Sequence, residues 1–206
     1  MRIDSLVVMV SGSGSNLQAV LDACADGRIP ASVTGVISSK PDVFALERAK
    51  QVGVPSIVIS PRSFDNQKAH DEAVVSAINA FGGQAVILAG YMSILGPDLV
   101  KKYPVVNIHP ALIPSFCGKG FYGRRVHTAV LEYGAKVSGA TVHFVDEGTD
   151  TGPIIMQKYV EVLDDDTPDS LAARILEVEH DILVRSVALL CKGKLKIEGR
   201  HVRILG

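Results

Sequence analysis

The sequence predicts an α/β fold whose sheet is mostly parallel and twisted, with helices on both faces. Two observations predict it. Short runs rich in β-branched residues alternate with helical patterns, which is typical of a parallel sheet with crossover helices. The first run, Leu6 to Val10, is apolar at every position, as expected for a strand buried on both faces. Together these features indicate a Rossmann-like arrangement.

The elements follow in order along the chain. Gly27 and Gly53 end the first two helices, and Pro41 lies near the start of the second. Alternating runs on either side of Glu198-Gly199-Arg200 predict a C-terminal hairpin. The predicted strands cover 6–10, 32–38, 55–60, 85–90, 105–110, 136–145 and 153–162, and the predicted helices cover 16–27, 41–53, 64–81, 126–134 and 169–193. The Gly-rich segment 113–125 is predicted to be a loop.

Composition excludes several classes of protein. A chain of 206 residues without a linker predicts a single domain over 1–206. With 21 Lys+Arg against 22 Asp+Glu, the chain lacks the basic excess typical of nucleic-acid binding. Three distant cysteines, none in a CxxC pair, argue against a disulfide scaffold or a metal site. The longest apolar stretch, 85–95, is too short to cross a bilayer. We therefore expect a cytoplasmic protein that binds no metal, nucleic acid or membrane.

In a parallel sheet, ligands bind beyond the carboxyl ends of the strands, and the first such segment is SGSGSN, residues 11–16. Glycines followed by a helix allow backbone amides to approach a phosphate. The alternative is an ordinary turn with Ser15 as helix N-cap. Leu17 stands where a dinucleotide fingerprint has its third glycine. The segment thus favours a small phosphorylated ligand over a dinucleotide.

The second segment is NIHP, residues 107–110, at the end of a strand. Asn107 and His109 are two residues apart and so share one face of an extended chain. An amide and an imidazole on one face can stabilise charge on a carbonyl oxygen. The alternative is a histidine that only satisfies the backbone at a strand end.

The third segment is the loop DEGTDTG, residues 146–152, between two predicted strands. Asp and Gly are favoured in turns for conformational reasons alone. The functional interpretation requires one carboxylate near His109, and Asp150 is the best candidate. Such a carboxylate would raise the imidazole pKa and help move a proton.

Taken together, the motifs GSGSNLQA (12–19), LAGYMSIL (88–95), NIHPALIP (107–114), GATVHFVDEGTDTGPII (139–155) and Glu179-His180 resemble the phosphoribosylglycinamide formyltransferase family over nearly the whole chain. The resemblance implies the formyltransferase fold. It also implies transfer of a formyl group from the co-substrate 10-formyltetrahydrofolate to the amine of glycinamide ribonucleotide, through a tetrahedral intermediate, in purine biosynthesis.

The resemblance also assigns roles to residues. The catalytic set is Asn107, His109 and Asp150, with Asp150 keeping His109 protonated and His143 supporting the site. The substrate's phosphate and amine are assigned to Gly14, Ser15, Asn16 and Glu179. The residues assigned to folate are Gln67, Met92, Ser93, Ile94, Leu95, Asn107, Asp146, Glu147, Gly148 and Thr149. Small-molecule substrates are the expected partners, and the chain is expected to be a monomer or a homodimer.

The sequence departs from the family pattern at the folate tail. Ser93 and the segment containing Gln67 stand where the family often has arginines that approach the folate glutamate. A weaker carboxylate clamp is expected, with Lys68, Arg124 or Arg125 as possible substitutes.

Three alternatives stay open at this point. Methionyl-tRNA formyltransferase shares the Asn–His–Asp set but carries a C-terminal domain for tRNA, and formyltetrahydrofolate hydrolase usually has an N-terminal regulatory domain. A chain of 206 residues is expected to leave no room for either. A non-catalytic nucleotide-binding module on the same architecture is the third alternative, because a fold alone does not define a function.

Overall fold

The computed structural model describes residues 2–206, and its nine strands form one sheet in the order β3-β2-β1-β4-β5-β6-β7-β9-β8. Strands β3, β2, β1, β4 and β5 pair in parallel, whereas β5–β6, β6–β7 and β8–β9 are antiparallel. The strands are β1 Ser5–Val10, β2 Ser32–Ser38, β3 Ser56–Val58, β4 Ala85–Leu88, β5 Val105–His109, β6 Val137–Phe144, β7 Ile154–Glu161, β8 Leu195–Glu198 and β9 His201–Ile204. The predicted fold class and the C-terminal hairpin are confirmed.

The helices are α1 Ser15–Ala25, α2 Phe44–Gln51, α3 Gln67–Ala80, α4 Pro97–Lys102, α5 Arg124–Tyr133 and α6 Pro168–Cys191. Helix α3 begins later than predicted because Asn66 caps it, its side chain accepting a hydrogen bond from the Ala69 amide at 2.9 Å. Helix α2 is also shorter than predicted, since Asp42 lies in the left-handed region at φ 54°. Helix α4 was not predicted, because six residues are too few to show helical periodicity.

Alternating side chains of β1 pack on opposite faces of the sheet, so the core has two layers. Leu6, Val8 and Val10 pack in the layer that includes residues of α1, α5 and α6. Val7 and Met9 pack in the layer that includes residues of α3 and α4. All five are fully buried, which explains why the strand is apolar at every position.

This topology determines where polar segments meet. Strands β1, β4 and β5 are parallel neighbours, so the segments that follow them begin at one edge of the sheet. The loop 145–153 between β6 and β7 brings Asp150 to the residues at the end of β5.

Candidate active site

Strand β5 presents Asn107 and His109 two positions apart. His109 is buried, and its Nε2 lies 3.0 Å from the carbonyl oxygen of Phe116. Because a carbonyl can only accept, Nε2 carries the hydrogen in this contact. The imidazole is thereby held with Nδ1 directed toward Asp150, whose Oδ2 lies 3.6 Å away.

Asp150 links the two histidines of the site. Its Oδ1 lies 3.6 Å from His143 Nε2, and its Oδ2 accepts a hydrogen bond from the Gly118 amide at 2.8 Å. The residue has φ 57°, in the left-handed region where Asp and Asn are the side chains best tolerated. The strained turn is what directs the carboxylate into the site rather than to solvent.

His143 orients the amide of Asn107. Its Nδ1 lies 2.8 Å from the Phe144 carbonyl oxygen, so Nδ1 is the donor there. In the neutral ring, Nε2 is then an acceptor, and Asn107 Nδ2 donates to it at 3.1 Å. The second N–H of that amide is free to donate to a ligand beside His109.

The electrostatics of the buried histidine differ from the expectation that Asp150 keeps it protonated. Burial lowers the pKa of His109, and the negative charge of Asp150 and the Phe116 carbonyl, which act to raise it, do not outweigh that effect. For Asp150, burial acts to raise the pKa. The polar contact with the His143 side chain, the charge of His109 and the Gly118 amide together lower it below its usual value. In the unliganded site the carboxylate is ionised and the imidazolium is disfavoured.

The segment 11–16 leads into the N-terminus of α1, which has no side-chain cap. Gly14, with φ 74°, is the N-cap of α1 and provides no side-chain hydrogen bond, so the interpretation of Ser15 as N-cap was wrong. A Cβ at Gly14 would lie only 2.7 Å from Ala45 Cβ, which explains the glycine. The first amides of α1 lack intrahelical partners and can bind an anion.

Glu179 lies in a buried pair with Asn16. Asn16 Nδ2 donates to Glu179 Oε2 at 2.6 Å, and both residues are more than nine-tenths buried. Burial raises the pKa of Glu179 to about 7. Asn16 Oδ1 is buried and has no hydrogen-bond partner among the residues that the structure describes, which is costly unless a ligand provides a donor.

A cavity of about 500 Å³ adjoins Ser15, between α1, α2 and α6. Arg48 and His180 line it, and neither was singled out as a site residue from the sequence. Arg48 Nε donates to the Ser13 carbonyl oxygen at 2.9 Å, which ties α2 to the segment 11–16. His180 Nε2 is shielded from solvent and has no hydrogen-bond partner in the described part of the chain. The periodicity of a helix does not indicate which other helix lies beside it. The proximity of Arg48 on α2 to His180 on α6 could therefore not be inferred from the sequence.

The folate-assigned residues after β4 differ in exposure. The side chains of Met92 and Ile94 are 52% and 69% exposed, which is unusual for large apolar residues and provides a surface for an apolar ligand. Leu95 packs in the core, so only its backbone can reach a ligand. Ser93 is half-buried between them.

Most of the residues in the loop 145–153 that the resemblance assigns to folate make contacts that stabilise the conformation of the loop. Asp146 Oδ1 accepts from the Gly148 amide at 3.0 Å and from the Thr151 hydroxyl at 2.5 Å. Glu147 Oε1 pairs with Lys101 Nζ of α4 at 2.6 Å. Thr149 is exposed at the loop tip.

None of the proposed substitutes for the missing arginines has an obvious tail-binding geometry. Gln67 Nε2 donates to the Ile94 carbonyl oxygen and to Asp71 Oδ1, at 3.0 and 2.8 Å. Arg124 makes a two-pronged ion pair with Asp169, and Arg125 lies over the Tyr122 ring. Lys68 Nζ lies 4.0 Å from Glu72 Oε1.

The Gly-rich segment 113–125 extends across the catalytic groups. Its last two residues already belong to α5, which begins at Arg124. Its Phe116 carbonyl and Gly118 amide bind His109 and Asp150, as described above. At its far end, a Cβ on Gly123 would lie 4.0 Å from Met92 Cε. The loop therefore contacts the catalytic residues and passes close to Met92 in the segment after β4.

Across residues 2–206, no group of three or more His, Cys, Asp or Glu side chains has an arrangement that could hold a metal ion. No helix in the same range is both long and apolar enough to cross a bilayer.

The sheet presents an Asn–His–Asp cluster at the end of β5 and a helix N-terminus without a side-chain cap after β1. The formyl transferase family model matches residues 4–187, and the chain belongs to that family. A glycinamide ribonucleotide transformylase from Symbiobacterium toebii has 43% identity and a TM-score of 0.94, over 99% of this chain and 95% of that one.

Named relatives agree with the structural match. The phosphoribosylglycinamide formyltransferase of Escherichia coli K12 is 38% identical over 195 residues, which cover 94% of this chain and 90% of the relative. The chloroplastic phosphoribosylglycinamide formyltransferase of Arabidopsis thaliana is 39% identical over 198 residues, covering 95% of this chain and 68% of the relative.

Proposed function

We propose that this enzyme transfers the formyl group of 10-formyltetrahydrofolate to the amine of glycinamide ribonucleotide, a step of purine biosynthesis. The observation that supports it best is the contact of Asp150 with His109 and His143 beside Asn107, in a chain whose relatives are named phosphoribosylglycinamide formyltransferases. These relatives give no support to a hydrolase or to another formyltransferase of the superfamily.

The substrate's phosphate binds at the N-terminus of α1. The backbone amides of Ser15 and Asn16, which follow the N-cap Gly14, can donate hydrogen bonds to the phosphate. The helix dipole also favours negative charge at this position. The adjoining cavity lined by Arg48 and His180 adds a guanidinium and an imidazole whose Nε2 has no hydrogen-bond partner among residues 2–206. A phosphate would provide both with an acceptor.

The amine end of the substrate lies toward Glu179. The unpaired Asn16 Oδ1 and the carboxyl of Glu179 offer acceptors to N–H donors in a buried setting. A cationic or hydrogen-bonding ligand would favour the ionised carboxylate, and binding therefore lowers the pKa that burial has raised. The buried pair thus selects a substrate with donors at this end.

The folate co-substrate binds between the segment 92–95 and the loop 146–149. Met92 and Ile94 provide exposed apolar surface for its ring system. The backbone of the loop, held by Asp146 and by the Glu147–Lys101 pair, provides polar groups for the ring edge. The clamp for the glutamate tail is weak, because Gln67 and Ser93 carry no charge and the Gln67 amide is already bonded to the Ile94 backbone and Asp71.

The chemistry follows from the catalytic cluster. Attack of the amine on the formyl carbon places negative charge on the formyl oxygen of a tetrahedral intermediate. The second N–H of Asn107 donates to that oxygen, and the positive charge of a protonated His109 ring stabilises it electrostatically. Asp150 accepts the proton lost by the amine, directly or through water, and before that transfer its negative charge favours the protonated form of His109. The bond between the formyl carbon and N10 of the donor then breaks, and the proton passes from Asp150 to N10 as tetrahydrofolate leaves.

The domain organisation, cellular location and partners of the chain complete the proposed function. The chain acts as a single formyltransferase domain over 1–206 in the cytoplasm, as a monomer or a homodimer. It acts on small molecules, without nucleic acid, membrane or metal. The near balance of 21 basic and 22 acidic residues supports this, because a single small phosphate can be held by backbone amides rather than by a basic surface.

A turnover assay tests the function. We expect formylation of glycinamide ribonucleotide, with one tetrahydrofolate released for each product formed. Formate release without an acceptor would identify a hydrolase, and no turnover of either kind would indicate a binding module. The variant His109→Ala is expected to abolish transfer while circular dichroism shows an intact fold, and near-normal activity in that variant would contradict its role.

A further inference from the structure

The segment after β4 that presents Met92 and Ile94 is held by side chains from two other elements. Its large apolar side chains are exposed and so gain little stabilisation from packing in the core. An exposed segment of this kind keeps one conformation only if its backbone polar groups are fixed. Two side-chain contacts do this, one at each end.

Ser11, the residue after β1, holds the first end. Its hydroxyl accepts a hydrogen bond from the Met92 amide at 2.9 Å and lies 2.6 Å from the Ser39 hydroxyl, which follows β2. Both serines are buried. Strand β1 lies between β2 and β4 in the sheet, so a single hydroxyl connects the ends of three neighbouring strands.

Gln67, the first residue of α3, holds the second end. Its Nε2 donates to the Ile94 carbonyl oxygen at 3.0 Å and to Asp71 Oδ1 at 2.8 Å. Asp71 is buried and lies one turn further along α3. The carboxylate therefore fixes the rotamer of Gln67 and directs the amide to the loop.

We propose that Ser11 and Gln67 are positioning residues, which hold the segment 92–94 in the conformation that binds the formyl donor. The proposal rests on the function proposed above and gives Gln67 a positioning role in place of the predicted direct contact with folate. Ser11 also begins the segment that binds the phosphate, so its hydroxyl sets the separation of the two substrate subsites. Preorganisation of this kind lowers the cost of ordering the site on binding.

Steady-state kinetics with saturating ribonucleotide test the proposal. Ser11→Ala leaves the Met92 amide without its acceptor, and we expect the KM for 10-formyltetrahydrofolate to rise about tenfold with kcat within threefold of wild type. Gln67→Ala removes a solvent-exposed hydrogen bond, so the KM for 10-formyltetrahydrofolate is expected to rise only about threefold. In the double variant the rise is smaller than the product of the two, because both act on one segment.

A truncated donor separates positioning from direct contact. With 10-formyltetrahydropteroate, which lacks the glutamate, Gln67→Ala should raise KM by the same factor as with the full donor. An effect that vanishes with the truncated donor would show that Gln67 binds the tail directly. Ser76→Ala is the matched control, since Ser76 is exposed on α3. Ser39→Ala, which spares the Met92 contact, should change KM by less than twofold.

Hydrogen exchange at the Met92 amide tests the contact without turnover. Exchange should accelerate in Ser11→Ala and stay unchanged in Ser76→Ala. Normal wild-type turnover with unchanged KM and unchanged exchange in the variants would overturn the positioning role alone, whereas absent wild-type turnover would overturn the proposed function. If Ser11→Ala does not fold, Gln67→Glu keeps the shape of an exposed side chain, loses the donor and still tests the second contact.

Discussion

Asp150→Asn is the most informative single change, because it removes one charge while keeping shape and backbone conformation. Asparagine tolerates the left-handed φ of 57° observed at this position. It also keeps an oxygen that can accept the Gly118 hydrogen bond. The perturbation is therefore electrostatic, and it acts on His109, whose Nδ1 lies 3.6 Å from the carboxylate.

The magnitude follows from that distance. Unit charges 3.6 Å apart attract by roughly 4–5 kcal/mol at an effective dielectric constant of about 20. Only the part that grows as charge develops in the transition state affects the rate. A fall in kcat of about 10² to 10³ is therefore expected, each factor of ten corresponding to about 1.4 kcal/mol.

The assay is single-turnover formyl transfer with both substrates saturating, so that binding does not limit the rate. The pKa of His109, which burial has already lowered and the Asp150 charge raises in part, should fall further in the variant. NMR titration of the imidazole measures this. Asp164→Asn is the control, since Asp164 lies at the surface and pairs with Lys136. A folded Asp150→Asn enzyme within fivefold of wild-type kcat would refute the electrostatic role.

Three further predictions concern binding and stability. Gly14→Ala should destabilise the fold more than Gly27→Ala, because both have positive φ but only Gly14 would place a Cβ within 3 Å of α2. Thermal denaturation compares them, and equal losses would contradict the close-approach argument. Burial raises the pKa of Glu179 from 4.5 to about 7. The contribution of this carboxyl group to folding stability is therefore fully present below pH 4.5 and is lost as the pH rises through about 7. Relative to wild type, Glu179→Gln should gain of the order of 3 kcal/mol at about pH 8 and little at pH 4, measured by urea unfolding at both pH values. A difference independent of pH would refute this titration. Added folate glutamates should tighten binding less than in relatives with arginines in place of Gln67 and Ser93, and an equal gain in isothermal titration would refute the weak clamp.

Much of the fold was predictable because its signals are local. The apolar run at 6–10, the glycines that end helices and the alternation of strands and helices all depend on neighbours in sequence. Strand β2 was predicted at its observed bounds. Helix α4 was missed, since its six residues are shorter than two helical turns and show no periodicity.

Burial of isolated polar residues was harder to predict. No local pattern indicates that Glu179 is buried, yet the structure buries it against Asn16, 163 positions away in the chain. The sign of the His109 pKa shift was also wrong. The charge of Asp150 acts as expected, but the opposing effect of burial depends on how the loop 113–125 packs over the ring.

The sequence by itself determined the fold class and the residue types of the candidate site, since periodicity and motif composition depend on short stretches of chain. Only the tertiary structure decided which of the three loop carboxylates meets His109, and that the Gln67 amide binds the Ile94 backbone. It alone showed that the Ser11 hydroxyl connects three strand ends. Hydrogen bonds and pKa shifts depend on distances of a few ångströms between groups far apart in sequence, and those distances exist only once the sheet and its loops have packed.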